Sequence, residues 1–375
     1  MKLVIISHTE HYKHKNGSIV GWGPTITEIN HLTAIFETIV HIGMLYPGDA
    51  PKSALPYTSS SIQFVPIPTV GGSGLSNKLN ILIAAPKTIS LVSKYLKISD
   101  YFQLRTPTGI GVYLIPYLSW FHRSQGWYKY AGNWNQNSAP IGYAFQRWFL
   151  KNQSRKVTIN GEWAKQPKHC ITFENPCLTD DDLIIGEQVT AHKRKSDLID
   201  FCYVGRLETP KGVGRIIASI DQLEAKERDK IGVIHLVGDG AERLYFEQQA
   251  KLRSVNFKFH GFLNREKVFE IYKQCHGFLM PTTASEGFPK VLAEAMNFGC
   301  VPIVSSISSI NQYIITGETG FVLPQVNEQA LAECITNFIN MTQTDYEALI
   351  EKGQDVVKYF TFSYYNEHIK KAILN

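Results

Sequence analysis

Short apolar runs separated by amphipathic stretches follow one another along the whole chain. In the first half, Lys2–Ser7 predicts a strand, then a loop over His8–Gly23 and a helix opening at Pro24, since Gly followed by Pro suits a first helical turn. Further strands are expected at Thr38–Leu45, Ile62–Ile67, Tyr101–Arg105, Trp127–Tyr130, Lys156–Ile159 and His169–Phe173. A helical pattern covers Ser76–Ile98, where Pro86 should introduce a kink. The second half is more regular. Strands are expected at Leu198–Val204, Gly232–Val237, Phe257–His260, Gly277–Met280, Val301–Ser305 and Phe321–Leu323. Helices should fill the gaps at Lys211–Leu223, Ala241–Leu252, Arg265–Gln274, Pro289–Phe298 and Glu328–Ile339. Continuously apolar strands that alternate with helices indicate parallel sheets covered on both faces. The pattern predicts two doubly wound α/β domains, 1–177 and 178–359, joined by a polar stretch near Pro176–Ser196. A last helical segment, about 360–375, could pack back on the first domain.

Composition sharpens the division. The chain has 375 residues, 44% hydrophobic, with a net charge of +5. Residues 1–177 hold 17 Lys and Arg against 7 Asp and Glu, a balance of +10, which leaves −5 for the remainder. All six tryptophans also lie in the first part. Halves this unlike should meet different partners. The opening Met-Lys-Leu-Val-Ile-Ile-Ser-His has too short an apolar core for a signal peptide, and the uncharged run 106–122 falls short of the roughly 20 residues of a spanning helix. Six cysteines show no C-x-x-C spacing, as expected of reduced thiols in an intracellular, cytoplasmic protein.

Two loops concentrate candidate chemistry. In open parallel sheets, ligands bind beyond the carboxyl ends of the strands. After the first strand of the second half comes Gly205-Arg206-Leu207-Glu208-Thr209-Pro210-Lys211-Gly212. Lys211 at a helix start is unfavourable alone and favourable once an anion such as a diphosphate sits there. The simpler alternative is a solvated lysine and an Arg206–Glu208 pair. After Gly277–Met280 comes Ser285-Glu286-Gly287-Phe288-Pro289-Lys290, with Glu294 eight residues beyond Glu286. Glu286 precedes the helix and Glu294 lies within it, so both can face a ligand at that helix start, as carboxylates that accept from sugar hydroxyls.

These residues resemble the retaining glycosyltransferases of family 4, which have the GT-B fold: two Rossmann-like domains facing a cleft. The resemblance covers most of 200–341 and rests on Gly-Arg-Leu-x3-Lys-Gly at 205–212, Gly238-Asp239-Gly240, Phe259-His260-Gly261-Phe262-Leu263, the Glu286/Glu294 pair and Gly320-Phe-Val-Leu-Pro324. It implies transfer of a hexosyl unit from a UDP- or GDP-linked sugar to a hydroxyl of a glycan or lipid-linked acceptor in surface polysaccharide synthesis, without cofactor or metal. It further implies that Arg206 and Lys211 hold the diphosphate, Glu294 the ribose and Glu286 the transferred sugar. Main-chain groups at Phe262 would read the base, and amides at Gly287 and Phe288 would assist. Gly205 would admit the ligand, and Gly21 or Gly23 would let the first domain approach the phosphates. The loop Ser308-Ser309-Ile310-Asn311-Gln312 departs from the family pattern, so its contacts do not carry over. A GT-B epimerase and a non-catalytic nucleotide-binding scaffold are the alternatives.

Other features are weaker. Gly238-Asp-Gly240 lacks the third glycine of a dinucleotide fingerprint. Asp180-Asp181-Asp182 reads as a solvated turn or helix start. His8, His11 and His14 could ligate a metal by spacing, but contact with the ligand is the preferred reading. On the acceptor side, Arg105, Asn133, Trp134 and His8 are the candidates. The basic, aromatic first half suits a lipid diphosphate or an anionic membrane face, and no nucleic-acid partner is expected.

Overall fold

The computed structural model describes every residue except Ser73 and Asn137, and all other side chains except those of Leu75, Ser76 and Asn77. The chain forms two compact units, Met1–Glu174 together with Tyr364–Asn375, and Asn175–Ser363. Residues 175–177 go with the second unit because the amides of Cys177 and Leu178 both donate to the Phe360 carbonyl.

The first unit is built on strands β1 (Lys2–Lys13), β2 (Ile19–Trp22), β3 (Thr38–Leu45), β4 (Ala54–Pro56), β5 (Ile62–Ile67), β6 (Tyr101–Thr106), β7 (Gln125–Tyr130), β8 (Val157–Ile159) and β9 (Cys170–Thr172). The parallel core runs β5-β3-β1-β6-β7-β8-β9. Alternate residues of β1 serve opposite faces: Val4 and Ile6 join one core, Leu3 and Ile5 the other. That is the packing a doubly covered sheet requires. The expected loop after Ser7 is instead a continuation of β1, which pairs antiparallel with β2 at His11↔Gly21, and β2 pairs in turn with β4. Thr9 and Tyr12 have strand-favouring side chains, and Gly17 at φ +87° makes the turn. The helical pattern at 76–98 breaks into Leu75–Ile83 and Ala85–Leu96, Pro86 taking the first turn of the second helix rather than kinking one long helix.

The second unit carries β10 (Ile199–Val204), β11 (Ile231–Val237), β12 (Asn256–Gly261), β13 (Gly277–Met280), β14 (Val301–Ser305) and β15 (Phe321–Leu323) in the order β12-β11-β10-β13-β14-β15, all parallel. The stretch expected as a linker is largely a 13-residue helix, Asp180–His192, capped by Thr179, which accepts from the Asp182 amide. Gly186 lets this helix lie against Asn297, where a Cβ would come within 2.5 Å of the Asn297 carbonyl oxygen. Asp182 is not solvated: it is buried and bonded to Arg265 at 2.6 and 3.2 Å. All six cysteines are buried free thiols. Among the described residues no helix is long and apolar enough to cross a membrane. Each unit is an α/β fold built on its own largely parallel sheet.

Candidate functional site

The carboxyl ends of β10, β11 and β13 are drawn together by two close backbone approaches. Gly212 has φ +92°, and a Cβ there would lie 2.3 Å from the Pro281 carbonyl oxygen. Only glycine accepts both the angle and the contact. The loop after β10 can therefore rest on the loop after β13, where the Thr283 amide donates to the Pro210 carbonyl at 2.8 Å and Arg215 donates to that of Pro281 at 3.1 Å. At Gly238, φ +131°, a Cβ would lie 1.9 Å from the Gly205 carbonyl oxygen, so the loops after β10 and β11 also touch.

This packing brings Lys211 to Glu286, 75 residues apart in sequence. Their side chains form a hydrogen-bonded ion pair, both partly shielded from water. Lys211 stands in a single 3-10 turn, Thr209–Lys211, and the α-helix proper begins at Val213. Arg206 is exposed and donates to Glu208 at 3.1 Å, the simpler alternative at that residue. An exposed pair of this kind contributes little and opens readily. The buried Tyr203 supports the loop from below, its hydroxyl donating to the Arg206 carbonyl at 2.7 Å.

The helix Lys290–Asn297 starts at Pro289 with no side-chain cap, so its positive end is available to an anion. Gly287 and Phe288 directly precede it. The Phe288 ring itself belongs to the core, stacked on Phe360 at 4.4 Å, which leaves only its main chain for a ligand. Glu294 lies in the second turn, half-buried. Removal from water raises its carboxyl above the usual range, opposed by the charges of Arg265 and Lys290. Phe262 is exposed just past β12. Two further arginines stand near these residues through contacts between distant segments. Arg265 is tied to Asp182, 83 residues away, and Arg243 reaches over Gly261, whose Cβ would lie 2.8 Å from its Nη1. Arg243 is also paired locally with Glu247 at 2.7 Å, one turn on.

The first-unit candidates fare differently. Arg105 is largely shielded and forms an ion pair with Glu28, which also bonds Lys129, so it is already satisfied inside the unit. Trp134, expected at a ligand surface, is 3% exposed and meets Tyr130 edge to face at 5.0 Å. Asn133 is half-buried, its side chain accepting from the Asn135 amide and its carbonyl from Arg147. Gly21 lies within β2 under the His11 ring, where a Cβ would meet that ring at 2.6 Å, and Gly23 opens the helix Gly23–Leu32.

The three histidines take separate partners, and among the described residues no group of three potential ligands converges. His8 bonds the Val70 carbonyl at 2.7 Å, and His14 is exposed beside Asn16. His11 belongs to a directional chain. Its Nδ1–H donates to the Thr9 carbonyl at 2.9 Å, so Nε2 accepts from the Tyr57 hydroxyl at 2.8 Å. The Tyr57 oxygen accepts from His41 Nδ1 at 2.6 Å, and His41 Nε2 accepts from Ser7 at 2.7 Å. Burial holds His11 down to about 4, and His41 well below its usual value, so both rings are neutral.

Comparison with solved structures shows that the chain has the GT-B fold. HepE of Anabaena, crystallised with UDP, superposes with a TM-score of 0.68 over the whole of both chains at 16% identity. Sucrose-phosphate synthase of Thermosynechococcus elongatus gives 0.72, at 18% identity over 99% of this chain and 98% of that one. In sequence, WcaL of Salmonella typhimurium, named as a colanic acid biosynthesis glycosyltransferase, is 28% identical over 166 residues. That match takes in 42% of this chain and 40% of WcaL, so the chain spans about two fifths of that relative's length. Residues 185–356, just under half of the chain and centred on the site above, match the family described as Glycosyl transferases group 1.

Proposed function

We propose that the chain is a retaining glycosyltransferase that moves a hexosyl unit from a nucleoside diphosphate sugar to a hydroxyl of a glycan or lipid-linked acceptor. The observation that supports this most is the meeting of Lys211 with Glu286 beside an uncapped helix start, with Glu294 one turn in. A diphosphate at that place gains the helix end and the Lys211 charge, and Arg206 can leave Glu208 to join it. With Lys211 on phosphate, Glu286 is released to accept from a sugar hydroxyl, while Glu294 accepts from the ribose. The Phe262 main chain is assigned to the base. The basic, aromatic first unit is assigned to the acceptor.

In the reaction, the acceptor oxygen forms a bond to the anomeric carbon on the face from which the diphosphate departs, as the carbon–phosphate oxygen bond breaks. The acceptor proton passes to a phosphate oxygen. The chain's part is to stabilise the leaving charge with Lys211, Arg206 and the helix end, and to orient the sugar through Glu286. No step is assigned to a metal. The similarity to HepE, crystallised with UDP, favours a UDP-linked donor.

A thermal-shift panel of UDP, GDP, ADP and their sugars tests the reading. A uridine or guanosine diphosphate should raise the melting temperature, and free nucleoside diphosphate should be released only when an acceptor hydroxyl is supplied. Stabilisation by none of them would sink the donor site. Release without acceptor, or interconversion of the donor sugar, would favour the epimerase.

A further inference from the structure

One helix of the first unit presents an apolar stripe to water. Along Ile141–Lys151, Ile141, Ala144 and Trp148 recur at steps of three and four, which places them on one helical face. All three are exposed, Ile141 by 91% and Trp148 by 60%, while Gln146, Phe149 and Leu150 turn inward. The patch extends onto the preceding helical turn, Tyr117–Phe121. The Trp120 ring lies 4.8 Å from that of Phe149, and Trp120 and Phe121 are 69% and 74% exposed. Side chains this large, grouped and mostly bare, mark a surface that something covers.

The charge around the patch identifies what. From Tyr101 to Gly161 the chain has no Asp or Glu but seven Lys and Arg. Arg105 and Lys129 are spent inside on Glu28, but Arg123 and Lys151 are exposed and adjoin the two aromatic segments. Exposed Lys97, near His122, adds to the same charge. Tryptophans beside long basic side chains match a lipid interface, where the rings enter the headgroup layer and the cations reach the phosphates. A second copy is the poorer occupant, because it would set one cationic patch against another.

We infer that Trp120, Phe121, Ile141 and Trp148, flanked by Arg123 and Lys151, dock this chain on the surface of an anionic bilayer. The inference is independent of the donor site.

Sedimentation of the full chain with vesicles tests it. The chain should bind phosphatidylglycerol–phosphatidylethanolamine vesicles and not phosphatidylcholine alone, with binding that falls as salt rises and a blue shift in tryptophan emission. Trp120→Ser with Trp148→Ser should lower partitioning by about tenfold or more, and Arg123→Glu by a few-fold. Leu244→Ser, at a 74% exposed site of the second unit, should change nothing. All these positions are exposed, so melting temperatures should hold and binding can be read directly. Equal binding to neutral vesicles, no binding, or full binding by the double variant would each overturn the inference. So would a wild-type dimer that the double variant abolishes.

Discussion

Lys211 and Glu286 neutralise each other, and under the proposed function each is also the group that a donor would claim. A diphosphate must therefore displace Glu286 from Lys211 before it can bind fully. Glu286→Gln removes that competitor. It should raise the affinity for free nucleoside diphosphate a few-fold while transfer is lost, because the sugar no longer finds its charged acceptor. Lys211→Ala should lower the same affinity by about tenfold or more. Titration calorimetry separates the two, and unchanged affinity in Glu286→Gln would mean that the pair does not oppose binding. A donor carrying its sugar offers Glu286 new partners, so the chain should prefer the sugar-bearing nucleotide to the bare one. The types and spacing of these residues were legible in the sequence. Their mutual pairing was not, because it depends on Gly212 letting one loop lie on another. Shielding from water was likewise illegible at Arg105, whose partner Glu28 lies on a distant helix, and at Trp134, which turns inward against Tyr130.

Among the elements, those fixed by continuous apolar runs were the most legible. Gly277–Met280, Val301–Ser305, Phe321–Leu323 and the helix Arg265–Gln274 occupy the residues their patterns predict. The extension of β1 was missed because its side chains are polar and find partners only in the folded unit. His11 fills a slot emptied by Gly21 and Gly43, and the chain Ser7–His41–Tyr57–His11 satisfies its nitrogens. The helix Gln343–Val357 was also not singled out, its buried residues being diluted by charged ones. The histidine chain has a consequence for acid stability. Well above pH 6.5 both rings are neutral whether the chain is folded or not, so they contribute no pH dependence there. As pH falls from about 7 toward about 4, the unfolded state takes up a proton that folded His11 refuses, and stability is lost. For His11 the full loss amounts to about 3 kcal/mol, and His41 adds to it in the same direction. The melting temperature of the first unit should therefore drop between pH 7 and 5, and His11→Gln should flatten that slope. An unchanged slope would assign the acid sensitivity to other groups.

On the scale of the whole molecule, the charge asymmetry follows the two units, and the C-terminal segment adds two lysines and one glutamate to the basic one. That segment is structural for the first unit. Tyr365, Ile369 and Ile373 are buried in a cluster with Leu3, Ile5, Phe36 and Trp127, and the Tyr365 hydroxyl accepts from Lys129 at 3.1 Å. Ending the chain after Ser363 should cost about 6 kcal/mol from the three lost side chains, a large part of what holds such a unit together. Calorimetry should show the first unit's transition weakened or gone. The second unit's transition should remain and still respond to nucleotide. Retention of both transitions would show that the segment is dispensable. The same connectivity bears on synthesis. Domains commonly fold in the order in which they emerge from the ribosome. Here residues 1–174 must wait for residues 364–375, which follow the whole second unit, so that unit can be finished while the first still lacks a strut.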